Sequence, residues 1–131
     1  MFEATGRLRY DIHPKVGHKL IVEVDPAIGP YYRSLVPKYI SIKPQLYPSH
    51  ISVVRHEIPP NLEFWGKHEG EIIPFCYDNY IHNGKVYYWL NAFSKRLEEI
   101  RLELGLPVDS PYTRPPDGLA KTFHITIGNL K

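Results

Sequence analysis

The sequence predicts a single α+β domain in which two similar strand-helix-strand halves join into one curved, mostly antiparallel sheet, with helices outside and a cleft at the centre. Three observations predict it. Short runs rich in β-branched residues are separated by many prolines, 13 in 131 residues, and a proline ends a sheet ladder because it has no backbone N–H to donate. One stretch, "SKRLEEIRLELGLP", carries helical spacing with a cap at each end. Finally, the order strand, helix, strand occurs twice, closing first on "HISV" (His50 to Val53) and then on "HITI" (His124 to Ile127).

Taken in order, residues 1–17 are expected to form an N-terminal arm ahead of the first strand, "HKLIVEVDP", which begins at His18 and stops at Pro26. "IGPYYRSLVPKYI" has apolar residues at near-helical spacing and predicts a short helix, broken at Pro37. "LYPSHISVVRHE" reads as the second strand, stopped by "IPPN". The section from Glu63 to Phe93 predicts antiparallel strands, and Asn83-Gly84 marks a hairpin, since that dipeptide readily takes positive φ at both central turn positions. Ser94 then suits an N-cap, with Leu97, Ile100 and Leu104 on one helical face and Gly105 and Pro107 at the end. A polar connection, "VDSPYTRPPDGLAK", leads into the last strand, "TFHITIGNL". Neither half is large enough to bury its own sheet face, so the two are expected to share one sheet, with the two histidine strands side by side.

Bulk properties narrow the function classes. A chain of 131 residues suits one domain, residues 1–131. Its 43% hydrophobic and 23% charged composition is that of an ordinary globular protein. No apolar run is long enough to span a bilayer and the N-terminus lacks the apolar core of a signal peptide, so a cytoplasmic protein without membrane partners is expected, with a monomer favoured. Cys76 is the only cysteine; it can form no internal disulfide and is expected to be a buried, inert thiol. The net charge of +2 permits an anionic ligand without requiring one.

The two motifs carry the chemistry. In a strand, side chains at i and i+2 share a face, so His50 lies beside Ser52 and His124 beside Thr126, while Ile51, Val53, Ile125 and Ile127 point the other way. Two imidazoles and two hydroxyls around one space suit a phosphodiester. A neutral histidine takes a proton from the attacking oxygen, a protonated one gives a proton to the leaving oxygen, and the hydroxyls donate to the non-bridging oxygens. The competing reading is of half-exposed strand histidines, with Ser and Thr present for β propensity. A metal site would need a further ligand near each histidine, and neither motif has a carboxylate or histidine at i+2 or i+4. Flanking candidates are Tyr112 to stack on a base, with Arg114 or Lys121 to hold a phosphate. Arg55 and Lys43 border the first motif, and Tyr10 sits in the arm, where it could close over a nucleotide.

With those residues in place, the chain resembles the 2H phosphoesterase superfamily, named for two His-x-Ser/Thr motifs each followed by an aliphatic residue. "HISV" and "HITI" fit that pattern, and the duplicated halves extend the likeness over nearly the whole chain from about residue 18. The resemblance implies a LigT-like fold and a phosphodiesterase that uses neither metal nor cofactor. His50 and His124 would be its acid/base pair and Ser52 and Thr126 its phosphate-binding hydroxyls. The implied substrate is an RNA-type phosphodiester: a 2',3'-cyclic phosphate, a 2'-5' linkage, or a cyclic oligonucleotide signal as degraded by viral anti-defence enzymes. The partner expected is therefore RNA or a cyclic or linear oligonucleotide. A binding module that sequesters such a ligand unchanged is the alternative, and an interaction domain without a small ligand is a third reading.

Overall fold

In the computed structural model, which describes Met1–Lys131, every strand pairing is antiparallel. The strands are β1 (Phe2–His13), β2 (Gly17–Glu23), β3 (His50–Val54), β4 (Ile72–Tyr77), β5 (His82–Asn83), β6 (Tyr87–Phe93) and β7 (Phe123–Asn129). The helices are α1 (Ile28–Ser34) and α2 (Lys95–Glu103). The sheet runs β4-β1-β2-β3-β7-β6-β5 and curls until β4 also pairs with β6, so that β5 is the one strand outside a closed circuit. The expected repeat is present: β2-α1-β3 and β6-α2-β7 are the two halves, and β3 lies against β7 at their junction.

One face of this sheet and the inner sides of the helices enclose a cluster of 22 buried residues, among them Ile51, Val53, Ile125 and Ile127. Helix α1 packs against β7 and helix α2 against β4 and β3. The ends of α2 match the sequence reading. Ser94 is extended, and its hydroxyl oxygen accepts the N–H of Leu97 while donating to the carbonyl of Pro74. Gly105, at φ +83°, reverses the chain in the left-handed region, where a side chain would be strained.

Several expectations need correction. Residues 1–17 are not an arm: β1 pairs with β2 on one side and β4 on the other. Its apolar residues, Phe2, Ala4, Leu8, Tyr10 and Ile12, alternate with polar ones, the period of a half-buried antiparallel strand. The β5–β6 hairpin exists, but Gly84 N–H bonds to the carbonyl of Tyr87, which centres the turn on Lys85 and Val86, and Gly84 does not take positive φ. A Cβ at Gly84 would make only ordinary contact with the Trp89 ring, 3.6 Å away, so neither the turn nor packing requires a glycine there. β3 ends at Val54, well before the prolines, because His56 turns the chain at φ 57°. Cys76, on β4, is half-buried rather than buried.

Tyr10 is corrected as well. It pairs with Leu20, whose side chain is in the core, so Tyr10 faces away from the surface that carries His50 and His124. Its ring meets Trp65 edge-on with centroids 5.0 Å apart, and its hydroxyl is buried without a hydrogen-bond partner. Burial pushes that hydroxyl's pKa up to about 12. Removing an unsatisfied buried polar atom relieves a desolvation cost. Tyr10→Phe is therefore expected to leave stability unchanged or raise it by about 1 kcal/mol in chemical denaturation, and to leave any activity of the site intact.

A candidate active site on the histidine strands

Antiparallel pairing of Ile51 with Ile125 fixes the arrangement of the four motif side chains. Counting outward in that register puts His50 opposite Thr126 and Ser52 opposite His124, so each imidazole faces a hydroxyl across the junction. Directly opposed Cβ atoms lie about 5 Å apart and diagonal ones about 7–8 Å. The histidines occupy a diagonal, with room between them for a small anion. The opposite faces of both strands, Ile51, Val53, Ile125 and Ile127, are completely buried. A one-residue slip would exchange core for site, and this makes the register obligatory.

The two motifs also share a backbone irregularity that letters do not reveal. Between β2 and β3, Leu20 pairs with Val54 and Ile21 with Ser52, which leaves Val53 as an extra residue. Between β6 and β7, Tyr88 pairs with Gly128 and Trp89 with Thr126, which leaves Ile127 as the extra residue. Each motif therefore bulges at its fourth position, next to the hydroxyl residue. Bulges bend a strand and re-aim neighbouring side chains.

Each imidazole is oriented the same way. His50 Nδ1 lies 2.9 Å from the carbonyl oxygen of Pro48, and His124 Nδ1 lies 3.2 Å from that of Thr113. A carbonyl only accepts, so both rings carry their proton on Nδ1 when neutral and leave the Nε2 lone pair free. Burial lowers the pKa of each histidine. Nearby Lys19 and Arg55 lower His50 further, and His50 and Arg55 lower His124, which falls to about 4. Without a bound anion, both rings are neutral at pH 7.

All four motif residues line one cleft of about 940 Å³, near the upper end of the range for small-molecule sites. Lys19, Arg55, Lys85 and Arg114 line it, against the single carboxylate of Asp117. With Arg114 paired to Asp109, Lys19, Arg55 and Lys85 against Asp117 leave an excess of two positive charges, as large as the +2 of the whole chain. Tyr47, Tyr87 and Tyr112 add aromatic surface, and the His56 and Tyr112 ring centroids are 5.8 Å apart. No three His, Cys, Asp or Glu side chains converge as a ligand set for a metal ion.

The structure thus brings together His50, Ser52, His124, Thr126, Arg55, Tyr112 and Arg114 from the sequence candidates. Arg114 arrives already engaged: its guanidinium grips the Asp109 carboxylate through two hydrogen bonds, which leaves Arg55 the freer cation. Three candidates lie elsewhere. Tyr10 is on the core face, and Lys121 lines a separate small groove beside the start of α2 with Phe93 and Glu98. Lys43 exchanges backbone hydrogen bonds with Asn129, and its ammonium reaches the carbonyl of Lys131. Sequence reasoning missed Lys19, Lys85, His13 and His56. Lys19 has a strand-parity signal, two positions before Ile21, which pairs with Ser52. His13 is the last residue of β1, and Lys85 and His56 sit on turns; the approach of all three to the cleft is tertiary.

No family model, curated protein or solved structure matches this chain. Fold and site together define an α+β domain with a basic, histidine- and hydroxyl-lined cleft, and no helix is long and apolar enough to cross a membrane.

The lowered pKa of His124 has a stability consequence of definite sign. Unfolded, the ring titrates near 6.5; folded, it titrates near 4. Its effect is absent above the unfolded value and grows as pH falls, because the unfolded chain takes up the proton first. Between pH 7 and pH 5, mostly above the range where carboxylates titrate, the wild-type protein is expected to lose about 2 kcal/mol more stability than His124→Gln. Urea denaturation at several pH values measures this.

Proposed function

We propose that this chain is a phosphodiesterase acting on an RNA-type phosphodiester, with His50 and His124 as general acid and base and without a metal ion in the proton transfers. The observation that carries the reading is the arrangement of two free Nε2 atoms and two hydroxyls on adjacent strands at the floor of a basic cleft. The resemblance to 2H phosphoesterases in the motif letters supports the same reading.

In the proposed step, the phosphate group sits between the strands, where Ser52 and Thr126 donate to its non-bridging oxygens and Arg55 offsets the growing charge. His124, whose pKa is about 4, is unprotonated and takes the proton from the attacking oxygen, either a ribose 2'-hydroxyl or water. The bond from that oxygen to phosphorus forms as the bond to the leaving oxygen breaks. His50, protonated when the phosphate supplies the counter-charge missing from the free site, gives its proton to the leaving oxygen. Product carries away the proton from His50; His124 then releases its proton to solvent and His50 takes one up, which resets the pair. Tyr112 and Tyr87 offer faces on which a base can stack. The 2',3'-cyclic phosphates, 2'-5' linked oligonucleotides and cyclic oligonucleotides all present the required phosphodiester to this cleft.

The test is chromatography of those three substrate classes after incubation with the protein in EDTA. Turnover of at least one class is expected to persist in the chelator, and to fall by about 10²–10⁴-fold when either histidine is replaced by alanine. A ligand bound tightly but recovered unchanged would replace this reading with sequestration, and abolition of activity by EDTA would contradict the metal-free proton transfers.

A further inference from the structure

The junction that holds the site is thin. β3 and β7 pair at a single register position, Ile51 with Ile125, and both strands bulge immediately beyond it. A bulge leaves backbone groups of the extra residue outside the ladder. At Val53 and Ile127 these residues are completely buried, so their carbonyl oxygens need partners other than water.

Both partners are arginines, and each comes from the other half. Arg33, in the last turn of α1, donates from Nη1 to the Ile127 carbonyl at 2.8 Å. Arg101, in the last turn of α2, donates from Nη1 to the Val53 carbonyl at 2.7 Å. The helix of the first half therefore holds the motif of the second, and the helix of the second holds the motif of the first. Arg101 is fully buried; its other donors reach the Pro107 carbonyl and both oxygens of Glu57. The surroundings of Arg33 fit the same role. Gly29, one turn earlier in α1, has no Cβ to strike the Ser49 hydroxyl or crowd the Arg33 guanidinium. That space lets the Gly29 N–H bond to Ser49 Oγ, immediately before His50.

We infer that Arg33 and Arg101 are a reciprocal pair of positioning residues, each fixing the bulge that aims the histidine and hydroxyl of the opposite half. The inference rests on the phosphodiesterase reading for its catalytic meaning. Its geometric content stands on the two hydrogen bonds alone. Neither arginine lines the cleft, so neither touches the substrate, and both act through the strands they hold. A displacement of about 1 Å in a reacting group can cost on the order of 10² in rate.

The test uses Arg33→Met and Arg33→Lys in the full chain, with His50 and His124 each titrated by NMR and kinetics measured on whichever substrate the wild-type protein turns over. In Arg33→Met, the titration of His124, in the opposite half, is expected to shift while that of His50 stays within 0.2 units or so of wild type. With kcat down 10–100-fold and KM within about twofold, the loss falls on aim rather than binding. Arg33→Lys, which keeps a donor, should recover most of both. For the other arm, the Arg101→Met, Glu57→Gln double variant avoids stranding a buried carboxylate, and the His50 titration should shift. Unchanged titrations in Arg33→Met, or equal shifts of both histidines, would overturn the inference, whether or not the double variant folds. Because the NMR readout needs no turnover, an inactive wild-type protein would refute the phosphodiesterase reading and still leave the brace tested.

Discussion

The structure depends on the antiparallel register between β3 and β7. With Ile51 opposite Ile125, four aliphatic side chains enter the core on one face while two histidines and two hydroxyls meet on the other. The energetic reason for the register lies on the core side. Burying Ile51, Val53, Ile125 and Ile127 gains roughly 1.5–3 kcal/mol for each side chain, and a one-residue slip would forfeit those gains and bury imidazoles in their place. The polar array thus takes its geometry from hydrophobic packing behind it, at no added cost in ordering.

The same packing sets the electrostatics. Partial burial makes a charged imidazole costly, and the cations that line the cleft add to that cost. The free site is left positive at its edges, neutral at its centre and short of negative charge. Under the proposed function, an arriving phosphodiester would supply what is missing, and its binding and the protonation of one histidine would favour each other. The backbone carbonyls of Pro48 and Thr113 fix the tautomers in advance, and neither ring has to reorient when the anion enters.

Much of this is visible in the letters, for identifiable physical reasons. The two motifs are legible because strand parity converts His-x-Ser and His-x-Thr directly into shared faces, and Ser94 and Gly105 are legible because caps are local. β1 is equally open to reading, since the alternation from Phe2 to Ile12 is that of a half-buried strand and not of an arm. Lys121 looks like a site residue by its nearness to His124 in the chain, but the strand entrance directs it to another groove. His56 and Lys85 reach the cleft from turns and His13 from the last position of β1, and no periodicity reports where such segments come to rest. The reciprocal arginines were beyond reach for the same reason, since Arg33 and Ile127 are 94 residues apart.

The most direct test of the account is the pH dependence of kcat/KM, which reports the free protein's essential acid and base. Because burial and neighbouring cations lower both histidines, both limbs of the bell are predicted below the ordinary histidine value near 6.5. The limbs of kcat should lie at higher pH, since the bound anion restores the missing charge. These limbs belong to the interacting pair of histidines. A profile flat from pH 5 to 8, or one whose maximum in kcat/KM lies above pH 7, would contradict the claim that two buried histidines of lowered pKa carry the chemistry, one as base and the other, protonated, as acid.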